Sequence, residues 1–185
     1  CIRDRKIISC QDAIRCGIGY IPEDRKNHGV FLRMSIKWNT VANNLKGYSN
    51  GLFVDKKREA RAAEEYQDKF KIKTPNLDQL VGNLSGGNQQ KVVIAKTLAA
   101  NSKIIIFDEP TRGIDVGAKH EIYKLMNELA EAGHSIIMVS SDMPELLGMS
   151  DRIVVIYEGR KTGELPKEKF DQNYICLLYT SDAAD

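Results

Sequence analysis

The sequence predicts an α/β fold in which helices cover a parallel sheet. Four short apolar runs rich in β-branched residues, at 18–21, 104–107, 136–139 and 153–157, have the length and composition of strands buried on both faces of a parallel sheet. Helical patterns separate the last three runs. This alternation of strands and helices is typical of α/β proteins.

The helix between the second and third runs is predicted over residues 118–132. Its apolar residues recur at helical spacing, and Gly133 follows in the position of a C-terminal cap. Residues 104–139 therefore form a predicted βαβ crossover. A second short helix is predicted to begin at Met143, with Ser141 or Asp142 as its N-cap.

Residues 29–83 break the alternation and are predicted to be a helical insertion. Within them, residues 55–72 form a charged helical pattern with a narrow apolar stripe of Ala63, Tyr66 and Phe70. Trp38 and Tyr48 in this region either pack internally or face a partner protein.

Composition and charge exclude several classes of protein. A chain of 185 residues with 42% hydrophobic and 28% charged residues is long enough for one domain with a core. Its apolar runs are far shorter than the roughly 20 residues of a membrane-spanning helix. The 27 basic and 25 acidic residues are interspersed and give a net charge of +2, which argues against a nucleic acid partner. The four cysteines have neither zinc-ligand nor disulfide-framework spacing, so a reducing compartment is expected.

One chemical motif lies at the end of the second apolar run. Asp108 and Glu109 follow this strand directly, and Pro110 turns the chain away. Ligands bind at the carboxyl ends of parallel strands, so the two carboxylates are expected beside a ligand. The first can hold Mg²⁺ through water, and the second can orient or deprotonate an attacking water. A strand that simply meets solvent gives the same local pattern.

A second motif, residues 84–91 (LSGGNQQK), precedes an apolar helix predicted at 92–100. A hydroxyl, two glycines and backbone N–H groups at a helix N-terminus form an anion site, because glycine permits close approach and the helix dipole favours negative charge. A loop that merely begins a helix is the alternative for this motif alone.

Order and spacing of the motifs resemble an ATP-binding cassette (ABC) ATPase, with residues 84–91 as signature motif, Asp108 and Glu109 as Walker B, and Asp115 in the D-loop. The residues of these motifs are similar to those of one branch of the family, the C-terminal nucleotide-binding domain of bacterial ribose, galactose and xylose importers. The resemblance covers residues 9–175, within a domain assigned to 1–175. The segments that carry it are 19–26, 85–91, 109–119 and 140–152.

The resemblance implies a P-loop NTPase-like core that uses ATP and Mg²⁺. In this family two domains pack head to tail, and each ATP lies between one domain and the signature loop of the other. The implied ATP contacts are Ser85, Gly86, Gly87, Asn88, Gln89, Glu23 and Asp115, the last at the domain interface. The implied metal ligands are Asp108 and Glu23, and the implied catalytic residues are Glu109 and Ser141.

Three departures from the general pattern change the expected chemistry. No G-x-x-x-x-G-K-[ST] occurs in the sequence, so the Walker A part of the core is expected to be missing and the chain alone inactive. Glu23 stands where the general pattern has Gln, and Ser141 where it has His. A hydroxyl cannot accept charge as imidazole does, so the site built on this Walker B is expected to be weak. The main expected duty is to complete the ATP site of a partner domain.

The implied whole protein is the ATP hydrolase of a sugar importer. Its implied partners are an N-terminal nucleotide-binding domain of the same polypeptide, a transmembrane sugar permease and, indirectly, a periplasmic sugar-binding protein, with no nucleic acid. The resemblance implies a peripheral membrane protein at the cytoplasmic face of the inner membrane. Alternatives are a nucleoside or signal-sugar importer, a soluble ABC protein acting on ribosomes or DNA, and a regulatory module without turnover.

Residues 176–185 (CLLYTSDAAD) have a separate origin in this interpretation. They match the in-frame translation of a transposase-type sequencing adapter at every position. We therefore expect this segment to be foreign to the protein, and the fold prediction leaves it out.

Overall fold

The structure is a computed structural model that describes residues 6–179. Helices and strands alternate through most of the chain, in the following order: α1 (Cys10–Arg15), β1 (Ile18–Ile21), α2 (Ile36–Val41), β2 (Ser49–Asn50), β3 (Phe53–Val54), α3 (Lys56–Phe70), α4 (Gly86–Leu98), β4 (Ile104–Asp108), α5 (Val116–Glu131), β5 (Ser135–Val139), α6 (Met143–Met149), β6 (Arg152–Tyr157), β7 (Arg160–Pro166) and α7 (Gln172–Leu178).

A parallel sheet of three strands organises the first of two compact units, Cys1–Val139. The strand order is β1-β4-β5, with Ile18 opposite Ile104 and Ile104 opposite Ser135. The predicted α/β class with a parallel sheet is confirmed. The prediction that the strands are buried on both faces is wrong for β5, because Ile137 is 51% and Val139 50% exposed, and for β1, because Tyr20 is 55% exposed.

The predicted βαβ crossover is confirmed by the path from β4 through α5 to β5. Helix α5 buries Ile122, Leu125, Met126 and Leu129, the apolar stripe seen in the sequence. Gly133 has a φ of +89°, and its N–H donates to the carbonyl of Ala130. The left-handed conformation at this position ends the helix and turns the chain into β5.

Helix α4 is buried along most of its length and begins earlier than predicted. The apolar pattern starts at Val92, whereas the helix starts at Gly86. Ser85 is extended, and its carbonyl accepts the first helical hydrogen bond, from the N–H of Gln89 at 2.9 Å. The first turn is polar and glycine-rich, so apolar periodicity could not reveal it.

Between β1 and α4 the chain is mostly helical, with a short antiparallel hairpin, β2–β3, that the sequence analysis did not predict. Helix α3 buries Ala63 and Phe70, as the predicted stripe requires. Asn39 on α2 is fully buried. Its Oδ1 accepts from the N–H of Phe31 at 2.8 Å, and its Nδ2 donates to the carbonyls of Phe31 and Ser35, each at 3.0 Å.

The fourth apolar run lies in the second compact unit, Ser140–Asp185, and the prediction that it belongs to the parallel sheet is wrong. Strand β6 does not belong to the parallel sheet, because it pairs antiparallel with β7. Glu158 and Gly159, between the two strands, have φ angles of +47° and +76°. Two consecutive left-handed residues make a tight turn that returns the chain beside itself. The predicted short helix is confirmed as α6, and Asp142 is its N-cap.

Part of the segment that we expect to be foreign lies in α7. Leu178 packs with Ile175 in the core of the second unit, and its carbonyl accepts from Thr162 Oγ1 at 2.8 Å. Residues 180–185 of that segment lie outside the described residues. Within residues 6–179, no helix is both long and apolar enough to cross a membrane.

Asn39→Ala should destabilise the first unit, because it removes the acceptor of the Phe31 N–H and one donor to each of the Phe31 and Ser35 carbonyls. Loss of a buried hydrogen-bonded amide of this kind costs about 1–3 kcal/mol. We expect that loss in the free energy of unfolding measured by urea denaturation. Asn43 is exposed and serves as the matched control, so Asn43→Ala should change it by under about 0.5 kcal/mol. Equal effects of the two substitutions would contradict the assigned role of Asn39.

Candidate functional site

The two predicted carboxylates lie where β4 ends. Asp108 is the last residue of the strand, and Glu109 follows it. The phenol of Tyr20, on the neighbouring strand β1, donates a hydrogen bond of 2.6 Å to Asp108 Oδ2. This bond raises the pKa of the Tyr20 phenol, because the carboxylate holds the phenolic proton. Tyr20 therefore belongs to this site.

The backbone of Glu109 has an uncommon conformation. Its φ is +47°, a left-handed value that costs a non-glycine residue on the order of 1 kcal/mol. The N–H of Glu109 donates to the carbonyl of Val139 at 2.8 Å, which continues the ladder between β4 and β5. The Glu109 carbonyl accepts from the N–H of Arg112 at 3.1 Å. These bonds hold Glu109 at the strand end in spite of the strain.

The N-terminus of α4 differs from the other helix starts. Among the α-helices in residues 6–179, only α4 begins without a side chain that accepts from its first turn. Ser85 occupies the N-cap position, but its Oγ accepts from Asn88 Nδ2 at 3.0 Å instead. The N–H groups of Gly86, Gly87 and Asn88 consequently have no acceptor among the described residues.

Both glycines at this helix start are in close contact with the chain itself. A Cβ on Gly86 would lie 2.8 Å from Arg25 Nη2, and a Cβ on Gly87 would lie 2.8 Å from Ala118 Cβ on α5. The sequence analysis explained these glycines by the approach of a phosphate. The structure adds a second reason, since a side chain at Gly87 would push α4 away from α5 and one at Gly86 would displace the guanidinium of Arg25.

Asn88 and Gln89, both predicted to bind the cofactor, point in different directions. Asn88 lies beside Ser85, and its Oδ1 accepts from the N–H of Lys73 at 3.0 Å. Gln89 is only 4% exposed, and its Nε2 donates to the carbonyls of Val81 and Leu84 at 3.2 and 3.1 Å. The Gln89 side chain thus holds the backbone that leads into Ser85.

Glu23 and Asp115 lie at the two loops beside α4. Glu23, in the loop after β1, forms an ion pair with Arg112. Asp115 is the N-cap of α5, and its Oδ1 accepts from the N–H of Ala118 at 2.9 Å. Each therefore has a structural role within the chain in addition to any contact with a ligand or partner.

Ser141 lies in the second unit, just before α6, and is exposed. Its neighbour Ser140 donates a hydrogen bond to the buried carboxylate of Glu145, and the N–H of Asp142 donates to Ser140 Oγ at 3.1 Å. The chain around Ser141 is thereby held in place, with the Ser141 side chain on the surface of the unit.

The described part of the chain contains no group of three or more His, Cys, Asp or Glu side chains that could hold a metal ion by themselves. The two predicted metal ligands have separate partners, since Asp108 bonds Tyr20 and Glu23 pairs with Arg112. A metal at Asp108 would need ligands from water or a substrate.

Comparison with known proteins identifies the family. A family model described as ABC transporter matches residues 3–112, more than half of the chain. The chain therefore belongs to the ABC transporter family, and ATP-binding cassettes are nucleotide-binding domains.

Curated relatives of this chain include import ATP-binding proteins. The chain is 54% identical over 173 residues to the ribose import ATP-binding protein RbsA of Clostridium perfringens, which covers 92% of this chain and 34% of that protein. It is 52% identical over 169 residues to the xylose import ATP-binding protein XylG of Thermoanaerobacter pseudethanolicus, with 91% and 34% covered. The chain thus spans about a third of the length of these relatives.

Solved structures confirm the predicted ABC ATPase fold. A nucleotide-free ATP-binding cassette from an ABC transporter matches with a TM-score of 0.73 and 20% identity, covering 94% of this chain and 69% of that one. A dimeric cassette in a post-hydrolysis state, bound to ADP and Pi, matches with a TM-score of 0.68 and 23% identity, covering 88% and 69%.

Tyr20 and Arg25 belong to the site but were not predicted from the sequence. Both lie in the segment 19–26 that carries the family resemblance, which was the available signal. Their partners are far along the chain, since Tyr20 contacts Asp108 and Arg25 contacts the backbone of Arg112. No local spacing could have paired them.

Gly87→Ala should displace the start of α4 from α5, because its Cβ would meet Ala118 Cβ at 2.8 Å. Overpacking of this kind costs about 1–3 kcal/mol, measurable by urea unfolding. Gly148, in α6, has open space around its Cβ position, so Gly148→Ala is the control and should be neutral or stabilising. Adding Ala118→Gly should restore part of the loss, and failure to do so would locate the strain elsewhere.

Proposed function

We propose that this chain is a nucleotide-binding domain of an ATP-driven sugar importer, and that the start of α4 contacts the phosphates of an ATP held by a second domain. The observation that carries the proposal is the uncapped first turn of α4. Three backbone N–H groups there have no acceptor among residues 6–179. Together with the positive end of the helix dipole, they form a site for an anionic group.

Some residues of this turn are assigned to phosphate contact, and one is assigned to support of the loop. Ser85, Gly86, Gly87 and Asn88 provide the hydroxyl, the amide and the backbone donors, and the guanidinium of Arg25 lies beside the same turn. Gln89 acts through the backbone, because its amide holds the carbonyls of Val81 and Leu84. We therefore assign Gln89 to the support of the loop instead of direct contact.

For Mg²⁺ we assign Asp108 as the ligand. Mg²⁺ in proteins usually keeps several waters and takes one or two carboxylates together with substrate phosphates, so one carboxylate at a strand end is sufficient. Tyr20 engages only Oδ2 of Asp108, and Oδ1 is the oxygen assigned to the metal. The ion, when bound, neutralises phosphate charge. Glu23 could join it only by leaving its ion pair with Arg112.

Hydrolysis at this chain's own Walker B is proposed to be slow. Glu109 is assigned to orient or deprotonate the attacking water. The sequence has Ser141 where the family pattern has a histidine, and a serine hydroxyl can only donate or accept a hydrogen bond. The chief contribution of the domain is then its signature turn, with Asp115 beside the partner domain.

The wider assignment rests on the relatives and is part of the proposal. Their names specify import of ribose and of xylose, which supports a sugar as the transported substrate. The full-length protein would hydrolyse ATP beside a membrane-embedded permease at the cytoplasmic face, with a periplasmic binding protein delivering the sugar. Residues 29–83 are the region proposed to transmit closure of the two domains to the permease.

Ser85→Arg in the full-length protein should lower steady-state ATP hydrolysis by about tenfold or more, because it places a bulky side chain at the phosphate donors. Glu109→Gln should lower it by less than about threefold, since this domain's own site contributes little under the proposal. Asn173→Arg, which adds the same cation at an exposed position of α7, is the control and should have no effect. Equal losses from Ser85→Arg and Glu109→Gln would contradict the asymmetric assignment.

A further inference from the structure

Arg25 joins two segments that are far apart in the sequence. Its Nη1 donates to the carbonyl of Arg112 at 2.9 Å, and its Nη2 donates to the carbonyl of Gly113 at 3.0 Å. We call this pair of bonds the Arg25 fork. Two consecutive carbonyls can face one guanidinium here because Gly113 has a φ of +66°, a left-handed value that glycine adopts without strain.

The backbone of Arg25 is held in place from its own side. Asp24 Oδ1 accepts from the N–H groups of Lys26 and Asn27 at 3.1 and 3.0 Å, and Asn27 Nδ2 donates to Asp24 Oδ2 at 2.7 Å. These bonds lower the pKa of the Asp24 carboxyl, so the cap stays ionised at neutral pH. The carbonyl of Arg25 accepts from the N–H of Val30 at 2.9 Å, closing the turn.

The same guanidinium lies against the start of α4. A Cβ on Gly86 would be 2.8 Å from Arg25 Nη2 and 3.6 Å from the carbonyl oxygen of Gly113. The fork and the first turn of α4 are therefore in direct contact. Two residues after Gly113, Asp115 caps α5, so the segment that the fork holds runs straight into the D-loop.

We propose that Arg25 is a positioning residue that fixes the signature turn (residues 85–88) and the D-loop (residues 112–115) as one rigid unit, so that both reach the partner domain's nucleotide in a set relation. The inference rests on the proposed function for the identity of that nucleotide. Arg25 itself touches no reacting group in this assignment. Its effect on hydrolysis passes through the backbone that it holds.

The chemistry of the side chain supports a specific need for arginine. A guanidinium presents its N–H donors in a rigid plane and can satisfy two acceptors at once, whereas a lysine ammonium is a point charge on a flexible chain. Arg25 Nε is buried without a hydrogen-bond partner among the described residues.

Steady-state ATP hydrolysis by Arg25→Ala, Arg25→Lys and Arg160→Ala variants of the full-length protein tests the proposal. We expect kcat to fall about tenfold or more in both Arg25 variants, because small misplacements of contacting groups lower rates steeply. The KM for ATP should change by less than about threefold, since the partner domain holds most of the nucleotide. Arg160 is exposed on β7, outside the segments assigned to nucleotide or permease contact, and Arg160→Ala should retain full activity.

Chemical rescue separates positioning from general loss of structure. Methylguanidinium added to Arg25→Ala can occupy the vacated space and bridge the two carbonyls, so it should restore kcat several-fold and leave Ser85→Arg unchanged. Amide hydrogen exchange should be faster at residues 89–91 and 112–118 of Arg25→Ala and slow again with methylguanidinium, since Gln89 is the first residue of α4 whose N–H donates a helical hydrogen bond. Full activity in Arg25→Lys, absence of rescue, or unchanged exchange would each overturn the proposal.

The two proposals can fail separately. If Ser85→Arg retains full activity, the proposed function is wrong whatever Arg25 does. If Ser85→Arg is inactive and Arg25→Ala is fully active, only the role of Arg25 is overturned. The exchange measurement needs no turnover and reports on the fork alone.

Discussion

Close packing around α4 is the constraint on which the rest of the first unit depends. The helix is buried along almost its whole length, and three glycines set its distance from its neighbours. At one end, a Cβ on Gly19 of β1 would lie 2.3 Å from Thr97 Cγ2, and at the other, Gly86 and Gly87 meet Arg25 and Ala118. Because interiors are close-packed, a helix in contact at both ends cannot shift without moving the sheet and α5 as well. The exposed first turn is thus placed by the buried remainder.

Buried polar side chains then specify the rotation of α4. Lys91 Nζ lies 2.6 Å from Glu121 Oε2 on α5, and Lys96 donates to the carbonyl of Gly29. Burial lowers the pKa of Lys96, because the charged ammonium is poorly solvated there, and the carbonyl of Gly29 accepts a hydrogen bond from it. A helix turned by one residue would leave these groups unpaired, and an unpaired buried charge is far more costly than a lost apolar contact. The polar contacts therefore determine one rotation of α4 about its axis, where apolar packing alone would allow several.

Features that depend on residues close together in the sequence were predicted, and contacts between residues far apart in the sequence were not. Helix α5 and its cap at Gly133 depend on neighbours within a few residues, and the apolar run of β4 is itself a local pattern, so these elements were predicted. The partners of Tyr20 and Arg25 lie 88 and 87 residues away, and no periodicity connects them. The β6–β7 hairpin was missed for another reason: its turn places Glu158, not a glycine or asparagine, in a left-handed conformation. The motifs were visible in the sequence, but the contacts that orient them were not.

Two kinds of contact join the loop after β1 to the D-loop, and they respond differently to conditions. The ion pair of Glu23 and Arg112 is solvent-exposed, with 43% and 67% of the side chains accessible, so salt and a competing cation can weaken it. The Arg25 fork binds neutral backbone carbonyls, so the loss of an anion does not release it. Under the proposed function, Glu23 can therefore exchange partners as nucleotide and metal arrive while the backbone beside it stays fixed. The loop can therefore bind a ligand through Glu23 while the Arg25 fork continues to hold the D-loop, because the two functions use different side chains.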